Sequence, residues 1–369
     1  MQQTAASSRP LVRLDTGVGT LDEIHPALTA AAAGALCVSA HPDWRRACID
    51  AFHRGTGEVR HLAAVVGQDV RATLPLVRER RDGSHWIELC GARALFEPCE
   101  IVHRSAEALA AVLREAVALG DPIELARVRA DRELRAALRR GARGRGLVVR
   151  IDAPRTVHVD LEVCRGGLES LVPSAQRRRN LERCRRRLRE HGAVDCIWLR
   201  PAAGDVDAVL GRALALEDSG WKGRAGSSMA KREDLRAFVL GVARAFAARG
   251  ALVVAFLTLD GQPVAMQVML EHGGAWHELK IGYDERWKAV APGMQLAVAS
   301  LLRAAEEGVG RYEFMGNVEA RHAAFAHATR DYDTLVYVPF NIRGAEALAR
   351  IAAQRASRRL AALAGRRRT

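Results

Sequence analysis

The chain has 369 residues, more than one ordinary hydrophobic core needs and a length that suits two domains. Hydrophobic residues make up 49% of it and charged residues 27%, which excludes an intrinsically disordered chain. The net charge of +13 arises from 56 Lys and Arg residues against 43 Asp and Glu residues. This excess indicates an anionic partner such as a nucleotide, a nucleic acid or a membrane surface, or it reflects an Arg-rich composition alone.

The cysteines exclude two classes of small-domain architecture. There are seven of them, an odd number, and no C-x-x-C pair occurs. This pattern argues against a disulfide framework and a structural zinc site, and it indicates a reducing compartment. No segment reads as a signal peptide or a membrane span. We therefore expect a cytoplasmic protein, with a disordered leader over residues 1–30.

Residues 31–160 predict an α/β domain. Apolar residues recur first at helical spacing, then in three short strands, and then in a helix–strand–helix–strand series. The predicted helices are 43–54, 106–119 and 131–141, and the predicted strands are 61–66, 70–78, 86–90, 123–128 and 147–151.

An Arg-rich helix is predicted over residues 174–191, between the two halves of the chain. Ser174 is a suitable N-cap, and Leu181, Cys184 and Leu188 form a narrow apolar stripe. The rest of the helix carries eight arginines and only two acidic residues. Repulsion between these arginines is a cost that an anionic ligand would relieve.

Residues 161–340 repeat the same order of elements. The predicted helices are 206–216, 235–249, 292–307 and 319–327, and the predicted strands are 251–259, 263–270, 275–283, 311–315 and 334–338. We therefore predict an α/β (α+β) fold of two tandem domains, each with a mixed, mostly antiparallel sheet flanked by helices. Residues 341–369 form a basic amphipathic segment, read as a packed terminal helix or as a contact with a membrane surface.

The strand 275–283 carries the candidate catalytic groups. Strict alternation places Glu278 and Lys280 on one face and Tyr283 with Leu279 on the core face. We expect the first face to line a substrate cleft. The alternative is a cross-strand ion pair on a solvated sheet face.

The helix that follows this strand begins with Pro292, Gly293, Met294, Gln295 and Leu296. Free backbone N–H groups and the positive end of the helix dipole make such a start suitable for a pyrophosphate group, and glycine permits close approach. The pattern predicts a phosphate-binding helix start, although other strand–loop–helix units with proline at N1 share it.

A loop after the helix 206–216 is a third candidate. Glu217 is followed by Trp221, Lys222, Gly223 and Arg224, a composition typical of loops that close over ligands. The alternative is a helix end with Trp221 at the edge of the core. No metal site is predicted, because His322 and His327 are five residues apart, the wrong spacing for two ligands on one helical face.

Four segments together resemble the GNAT-fold acetyltransferases of bacterial cellulose and exopolysaccharide biosynthesis (CelD-type), relatives of the Fem-type aminoacyltransferases. They are E-x-S-G-W-K-G-R-x-G at 217–226, D-G-x-P-V-A at 260–265, L-K-x-G-Y-D-E at 279–285 and A-P-G-x-x-L at 291–296. The resemblance covers about 174–338, and for the first half it rests on the order of elements alone. It implies two tandem GNAT-like domains, of which the first is degenerate.

The resemblance also implies a reaction. Acetyl-CoA or another acyl-CoA would bind at the Gly293 helix start and pass its acyl group to an amine. Glu278, with Asp284 in reserve, is the candidate base, and Lys280 is a candidate donor to the thioester oxygen. The candidate donor of a proton to the thiolate is Tyr283 or Tyr312.

The acceptor side departs from the family pattern. Arg321 and His322 stand where such proteins usually carry a Tyr-Lys pair, so the acceptor is left open, and His322 is a candidate acceptor contact. We expect a small-molecule or saccharide amine. Two alternatives remain: a Fem-like transferase that uses aminoacyl-tRNA gripped by the Arg-rich helix, and a non-catalytic accessory protein of polysaccharide synthesis.

Overall fold

The computed structural model describes residues 11–15, 19–67, 69–81, 83–219 and 232–353. The chain divides into two compact units, each discontinuous in sequence. The first unit is Met1–Ala32, His53–Ala153 and Tyr332–Thr369, and the second is Ala33–Phe52 and Pro154–Asp331. These units differ from the sequential domains 31–160 and 161–340 that the sequence led us to expect.

The strands are, in chain order, β1 (Leu11–Asp15), β2 (Glu58–Val66), β3 (Asp69–Arg81), β4 (Ser84–Leu89), β5 (Ile123–Arg129), β6 (Gly146–Asp160), β7 (Val194–Leu199), β8 (Leu252–Leu259), β9 (Gln262–His272), β10 (Ala275–Tyr283), β11 (Arg311–Glu313) and β12 (Ala328–Pro339).

The α-helices are α1 (Gly19–Ala32), α2 (Pro42–Cys48), α3 (Ala92–Leu95), α4 (Ala106–Ala118), α5 (Arg132–Ala142), α6 (Gly167–Leu171), α7 (Ala175–Arg189), α8 (Val206–Ser219), α9 (Glu233–Ala247) and α10 (Pro292–Glu306), with residues 342–353 also helical. Short 3₁₀ helices include Leu161–Gly166, Glu285–Val290 and Ala320–Ala324, and Ile49–His53 is a π-helical turn.

The first unit is built on an antiparallel meander. Strands β1, β2, β3 and β4 pair antiparallel in that order, β4 pairs in parallel with β5, and β5 pairs antiparallel with Tyr332–Tyr337 of β12. Helices α4 and α5 pack on this sheet through a continuous apolar core. The side chain of Ser105 caps α4 and that of Asp131 caps α5.

The second unit repeats this arrangement. Strands β7, β8, β9 and β10 pair antiparallel, β10 pairs in parallel with β11, and β11 pairs antiparallel with residues 158–160 of β6. The hairpin between β8 and β9 turns at Asp260 and Gly261, which both have positive φ, as the Asp-Gly pair predicts. The predicted fold class, two tandem α/β domains with mostly antiparallel mixed sheets flanked by helices, is confirmed.

The segment 33–52 leaves the first unit and packs in the second. The Trp44 ring of α2 lies 4.8 Å from the Phe238 ring of α9 in an edge-on contact, and Gly241 gives α9 a flat face beside Ala47. The predicted helix 43–54 therefore forms as α2 and the π-helical turn, but its apolar face is buried in the second unit.

The N-terminal end of the chain differs from what the sequence led us to expect. Residues 11–15 pair with β2 as an edge strand, and α1 follows, where a disordered leader over 1–30 was expected. Residues 1–10, 16–18 and 354–369, which include most of the basic tail, lie outside the described residues. No helix among those described is long and apolar enough to cross a membrane.

Helix α10 anchors the core of the second unit, which gives a stability prediction. Leu301 is fully buried in that core, so Leu301→Ala should lower the free energy of unfolding by about 2–5 kcal/mol through lost burial and the cavity left behind. Leu168→Ala, at a position 37% exposed in the same unit, should cost less than about 1 kcal/mol. Urea denaturation measures both. Equal losses would show that α10 does not carry this core.

Candidate active site

The strand β10 carries a β-bulge at Leu279. Glu278 is opposite Met269 on β9 and Lys280 is opposite the next residue, Val268, so Leu279 is an extra residue with no partner on β9. A bulge interrupts the alternation of side chains along a strand. Even-numbered residues before Leu279 and odd-numbered residues after it therefore lie on the same face of the sheet.

This bulge overturns the predicted faces of the strand. Trp276 and Tyr283 both belong to the core that packs against α10, although strict alternation separates them. Glu278 lies on that same face, because its carboxylate bonds to Tyr312, which belongs to the same core. Gly282 instead faces Glu217 of α8, and Lys280, two residues earlier, shares its face. The prediction that Lys280 joins Glu278 while Tyr283 faces away is wrong.

Strands β10 and β11 part beside Glu278. Their parallel pairing covers only Ala275–His277 of β10, and no further pairing with β11 occurs among the described residues. A fork between two neighbouring strands leaves backbone groups available to a ligand. Glu278 is the first residue beyond the paired segment.

The Glu278 carboxylate is held on both oxygens. Its side chain is 1% exposed. Oε2 accepts hydrogen bonds from Gln267 Nε2 at 2.7 Å and from the Tyr312 hydroxyl at 3.0 Å. Oε1 accepts from Arg321 Nη2 at 2.6 Å, in an ion pair. The predicted base is thus enclosed by partners rather than open to a cleft.

The partners of Glu278 keep their protons. Burial and the adjacent Glu278 charge raise the pKa of Tyr312 well above its usual range, so the hydroxyl remains a donor. Burial alone would lower the pKa of Arg321, but attraction to Glu278 outweighs it and the pKa is raised. At neutral pH the cluster is therefore a closed pair of one anion and one cation, with a neutral phenol.

Two further polar groups lie buried around this cluster without a partner in the described part of the chain. They are Gln267 Oε1 and His322 Nε2. His322 is 1% exposed, its ring lies 4.6 Å from the Phe314 ring in a tilted contact, and its Nδ1 accepts the Glu319 N–H. Burial and neighbouring Arg321 lower the pKa of His322 to about 4, so the ring is neutral and Nε2 carries its hydrogen. His322, which we predicted to contact the acceptor, is therefore buried, and its Nε2–H group is a donor without a partner among the described residues.

The start of α10 presents a free backbone donor. Pro292 has no N–H, and the N–H groups of Met294 and Gln295 bond to the Ala291 carbonyl. The Gly293 N–H has no partner among the described residues. A Cβ on Gly293 would lie 3.4 Å from Tyr283 Cδ1. Leu296 is buried in the core, so of the five predicted residues only Gly293 offers an unbonded N–H.

The remaining predicted residues have structural contacts or lie outside the description. Asp284 is buried and caps the turn Glu285–Val290 by accepting the Arg286 N–H, and hydrogen bonding from Arg286 lowers the pKa of its carboxyl. Glu217 is buried beneath Gly282, on the face opposite Glu278. The described residues hold no cluster of His, Cys, Asp and Glu able to bind a metal ion. Residues outside the description are Trp221, Lys222, Gly223 and Arg224.

A family model described as "Acetyltransferase (GNAT) domain" matches residues 175–333. This segment is therefore similar to the GNAT acetyltransferase domains that the family model describes. The match begins at the first residue of α7 and includes the bulged strand, the start of α10 and Arg321. No curated protein matches the sequence.

Solved structures share the fold at low identity. A conserved protein of unknown function from Bacteroides thetaiotaomicron is 10% identical with a TM-score of 0.55, covering 89% of this chain and 99% of that one. The C-terminal domain of a putative lysylphosphatidylglycerol synthetase from Agrobacterium fabrum is 14% identical with a TM-score of 0.55, covering 90% and 96%. FemX is 10% identical with a TM-score of 0.55, covering 85% and 95%. These likenesses extend the shared fold beyond the GNAT domain.

Sequence reasoning did not find the ligands of Glu278. Gln267 and Arg321 lie 11 and 43 residues from it along the chain. The available signal was chemical: a glutamate in an apolar strand needs a buried cation, and Arg321 stands in a segment of small and aromatic residues.

Two histidines, at the end of β9 and within β10, make the second unit sensitive to acid. Burial, with nearby Arg249, lowers the pKa of His272 to about 4, and burial beside His272 lowers that of His277 to about 3. An unfolded histidine titrates near pH 6.5. Above that pH both states are neutral. As the pH falls from about 6.5 toward 4, the unfolded state takes up protons that the folded state excludes, and stability is lost.

We expect His272→Asn to reduce this acid sensitivity. Each such histidine contributes a slope of up to about 1.4 kcal/mol per pH unit over that window, so the variant should lose less stability between about pH 7 and pH 5. The exposed His85→Asn should follow the parent protein. Thermal unfolding across pH measures both. A pH slope of unfolding free energy unchanged in His272→Asn would refute this account.

Proposed function

We propose that the chain is an acyl-CoA-dependent N-acyltransferase, which passes an acetyl or other acyl group to a small-molecule or saccharide amine. The observation that carries the proposal is the fork between β10 and β11, with Glu278 at its base and the α10 start beyond the end of β10. The family match over residues 175–333 supports it. Biosynthesis of polysaccharide, cell envelope or secondary metabolites is the setting that we propose.

The start of α10 fits the phosphates of an acyl-CoA donor. The helix is 15 residues long, so its dipole places partial positive charge at Gly293, whose N–H is unbonded in the described structure. Glycine leaves no side chain between that N–H and a phosphate. In the proposed site, Gly293 binds the pyrophosphate and the fork receives the thioester.

In the proposed reaction Glu278 is the base and Tyr312 is the acid. The amine nitrogen bonds to the thioester carbonyl carbon, the carbon–sulfur bond breaks, and the amine loses a proton. Glu278 is the carboxylate that accepts that proton, directly or through water. Tyr312, which keeps its proton at neutral pH, is our candidate to donate a proton to the thiolate, and Glu278, after taking the proton of the amine, would return one to Tyr312 through their hydrogen bond. Lys280 faces the other side of the sheet and has no role in this scheme.

Arg321 sits between Glu278 and solvent. Its side chain is 22% exposed, whereas that of Glu278 is 1% exposed. An acceptor ammonium group carries the same charge as the guanidinium. We propose that the acceptor reaches Glu278 by displacing Arg321. In the family that the sequence resembles, a Tyr-Lys pair usually stands at the position of Arg321 and the next residue.

Substitution of Gly293 tests the donor site. Gly293→Glu should abolish saturable binding of acetyl-CoA, because a carboxylate at the helix start repels phosphate, while the same charge favours the helix dipole and preserves the fold. Gly293→Ala is the control, since its Cβ fits at 3.4 Å from Tyr283, and it should bind within about threefold of the parent. Isothermal titration measures the binding. Equal binding by all three proteins would exclude this donor site, and no binding by the parent would exclude acetyl-CoA as donor.

Substitution of Glu278 tests the base. Glu278→Gln should lower kcat by about 10²–10⁴ and leave the donor KM unchanged. Glu313→Gln is a matched control, because Glu313 is also buried and forms ion pairs with Arg311 of the same strand, β11, and with Arg330 of β12. Its kcat should fall less than about tenfold. Steady-state kinetics with acetyl-CoA and an amine measure both. A similar loss in the two variants would assign Glu278 a structural role only.

A further inference from the structure

We infer that the exposed face of α7 is a docking surface for an acidic acyl carrier protein, which delivers the acyl group to the donor site. This inference rests on the proposed acyltransferase function and names a second form of its donor. A carrier protein holds its acyl group as a thioester of phosphopantetheine, the same reacting group as in acyl-CoA. The step is therefore unchanged: the amine–carbonyl bond forms and the carbon–sulfur bond breaks.

Helix α7 carries a dense set of exposed cations. Among the residues that the structure describes, six of its arginine side chains are exposed and have no acidic or hydrogen-bonding partner: Arg177, Arg179, Arg185, Arg186, Arg187 and Arg189. The exceptions are Arg178, which pairs with Glu169, and Arg183, which bonds to Asn180. This set is called the α7 arginine surface below.

The α7 arginine surface costs stability in the isolated protein. Like charges four residues apart on a helix repel one another, as at Arg183 with Arg187 and at Arg185 with Arg189. The helix stays folded because Ser174 caps it and because Cys184 and Leu188 are buried in the core. An anionic partner would remove the repulsion.

The surface adjoins the proposed donor site. Leu188 and Cys184 share a core with Val290 and Leu296, on either side of Gly293. At the end of α7, the His191 ring meets the Trp287 ring edge-on at 5.0 Å. Trp287 lies in the turn Glu285–Val290, which leads directly into α10. The C-terminal end of α7 therefore lies beside the turn that leads to the proposed phosphate site.

The composition of the surface favours an acidic protein over other polyanions. Helix α7 contains no aromatic residue, so it has no platform on which nucleic-acid bases could stack. Its leucines are buried or half-buried, so it exposes no apolar side chain for insertion into a membrane. The arginines are spread along the 15 residues of α7, a length of about 22 Å that exceeds one nucleotide. Their guanidinium groups can each pair with a carboxylate on the surface of a protein partner.

The test compares two donors carrying the same acyl group, one on CoA and one on a purified acyl carrier protein. The variant is Arg185→Glu with Arg187→Glu, which turns the like-charge pairs Arg185–Arg189 and Arg183–Arg187 into opposite-charge pairs, so its melting temperature should not fall. The matched control is Arg139→Glu with Arg140→Glu, which makes the same charge change at exposed positions of α5. The readouts are kcat/KM for each donor and fluorescence anisotropy of labelled carrier protein.

We expect the α7 variant to lose at least about tenfold in kcat/KM and in affinity with the carrier protein, and less than about threefold with acyl-CoA. The α5 control should match the parent protein. Binding should weaken as ionic strength rises from about 0.01 to about 0.15 M, where the screening length falls from about 30 to about 8 Å.

Four results would overturn the inference, and the fourth leaves the proposed function standing. One is no binding of carrier protein by the parent at low salt, and another is equal loss in the two variants. The third is binding of tRNA or of vesicles containing phosphatidylglycerol, but not carrier protein, with the same dependence on Arg185 and Arg187. Acyl-CoA turnover without any use of the carrier protein rejects this inference alone. Absence of turnover with both donors, and of CoA binding, rejects the proposed function.

Discussion

A glutamate charge buried in a sheet must be neutralised where it lies, and the site of this protein is built around that requirement. Desolvation of a carboxylate costs several kcal/mol, and an unpaired buried charge destabilises a fold by a similar amount. Glu278 meets the requirement with three donors from three separate places in the chain. Gln267 lies on β9, Tyr312 lies on β11 and Arg321 lies in the turn Ala320–Ala324. The carboxylate thereby joins both neighbouring strands to this turn, which is also held by the packing of His322 and Phe325 against Phe314.

The bulge at Leu279 makes this arrangement compatible with a binding fork. Without the extra residue, Lys280 would share the face of Glu278 and Tyr283 would lie opposite. With it, Glu278 and Tyr283 lie on the α10 side, while Gly282 lies close against Glu217 of α8 on the other. The pairing of β10 with β11 ends at His277, so the fork opens directly beside the carboxylate. The bulge therefore determines which side chains share the face of Glu278, and the end of the β10–β11 pairing opens the sheet beside that face.

The sequence predicted what depends on local patterns. Runs of apolar residues and Asp-Gly and Pro-Gly signals located β8, β9, β10 and α10 to within two residues. The bulge was not predictable, because the residues around Leu279 fit strict alternation and the extra residue is visible only against the partner strand. Arg321 was noticed as a departure from a family pattern, but its contact spans 43 residues and depends on tertiary packing. The packing of residues 33–52 in the second unit was not predicted, for the same reason: the Trp44–Phe238 contact joins residues far apart along the chain.

The two ends of the proposed site, the start of α10 and the Glu278 cluster, differ in how many contacts must break before a ligand can bind. The start of α10 already presents an unbonded N–H at Gly293, so binding a phosphate there requires no contact to be broken. The Glu278 end is closed, because Arg321 occupies one carboxylate oxygen and Gln267 with Tyr312 occupies the other. Separating one partner from a buried ion pair costs about 3–5 kcal/mol unless another cation replaces it. If Glu278 is the base, an acceptor amine offsets that cost only by entering as the cation, before it gives up its proton. The ion pair would then select for amines that are charged in solution, and it would keep the base covered until one arrives.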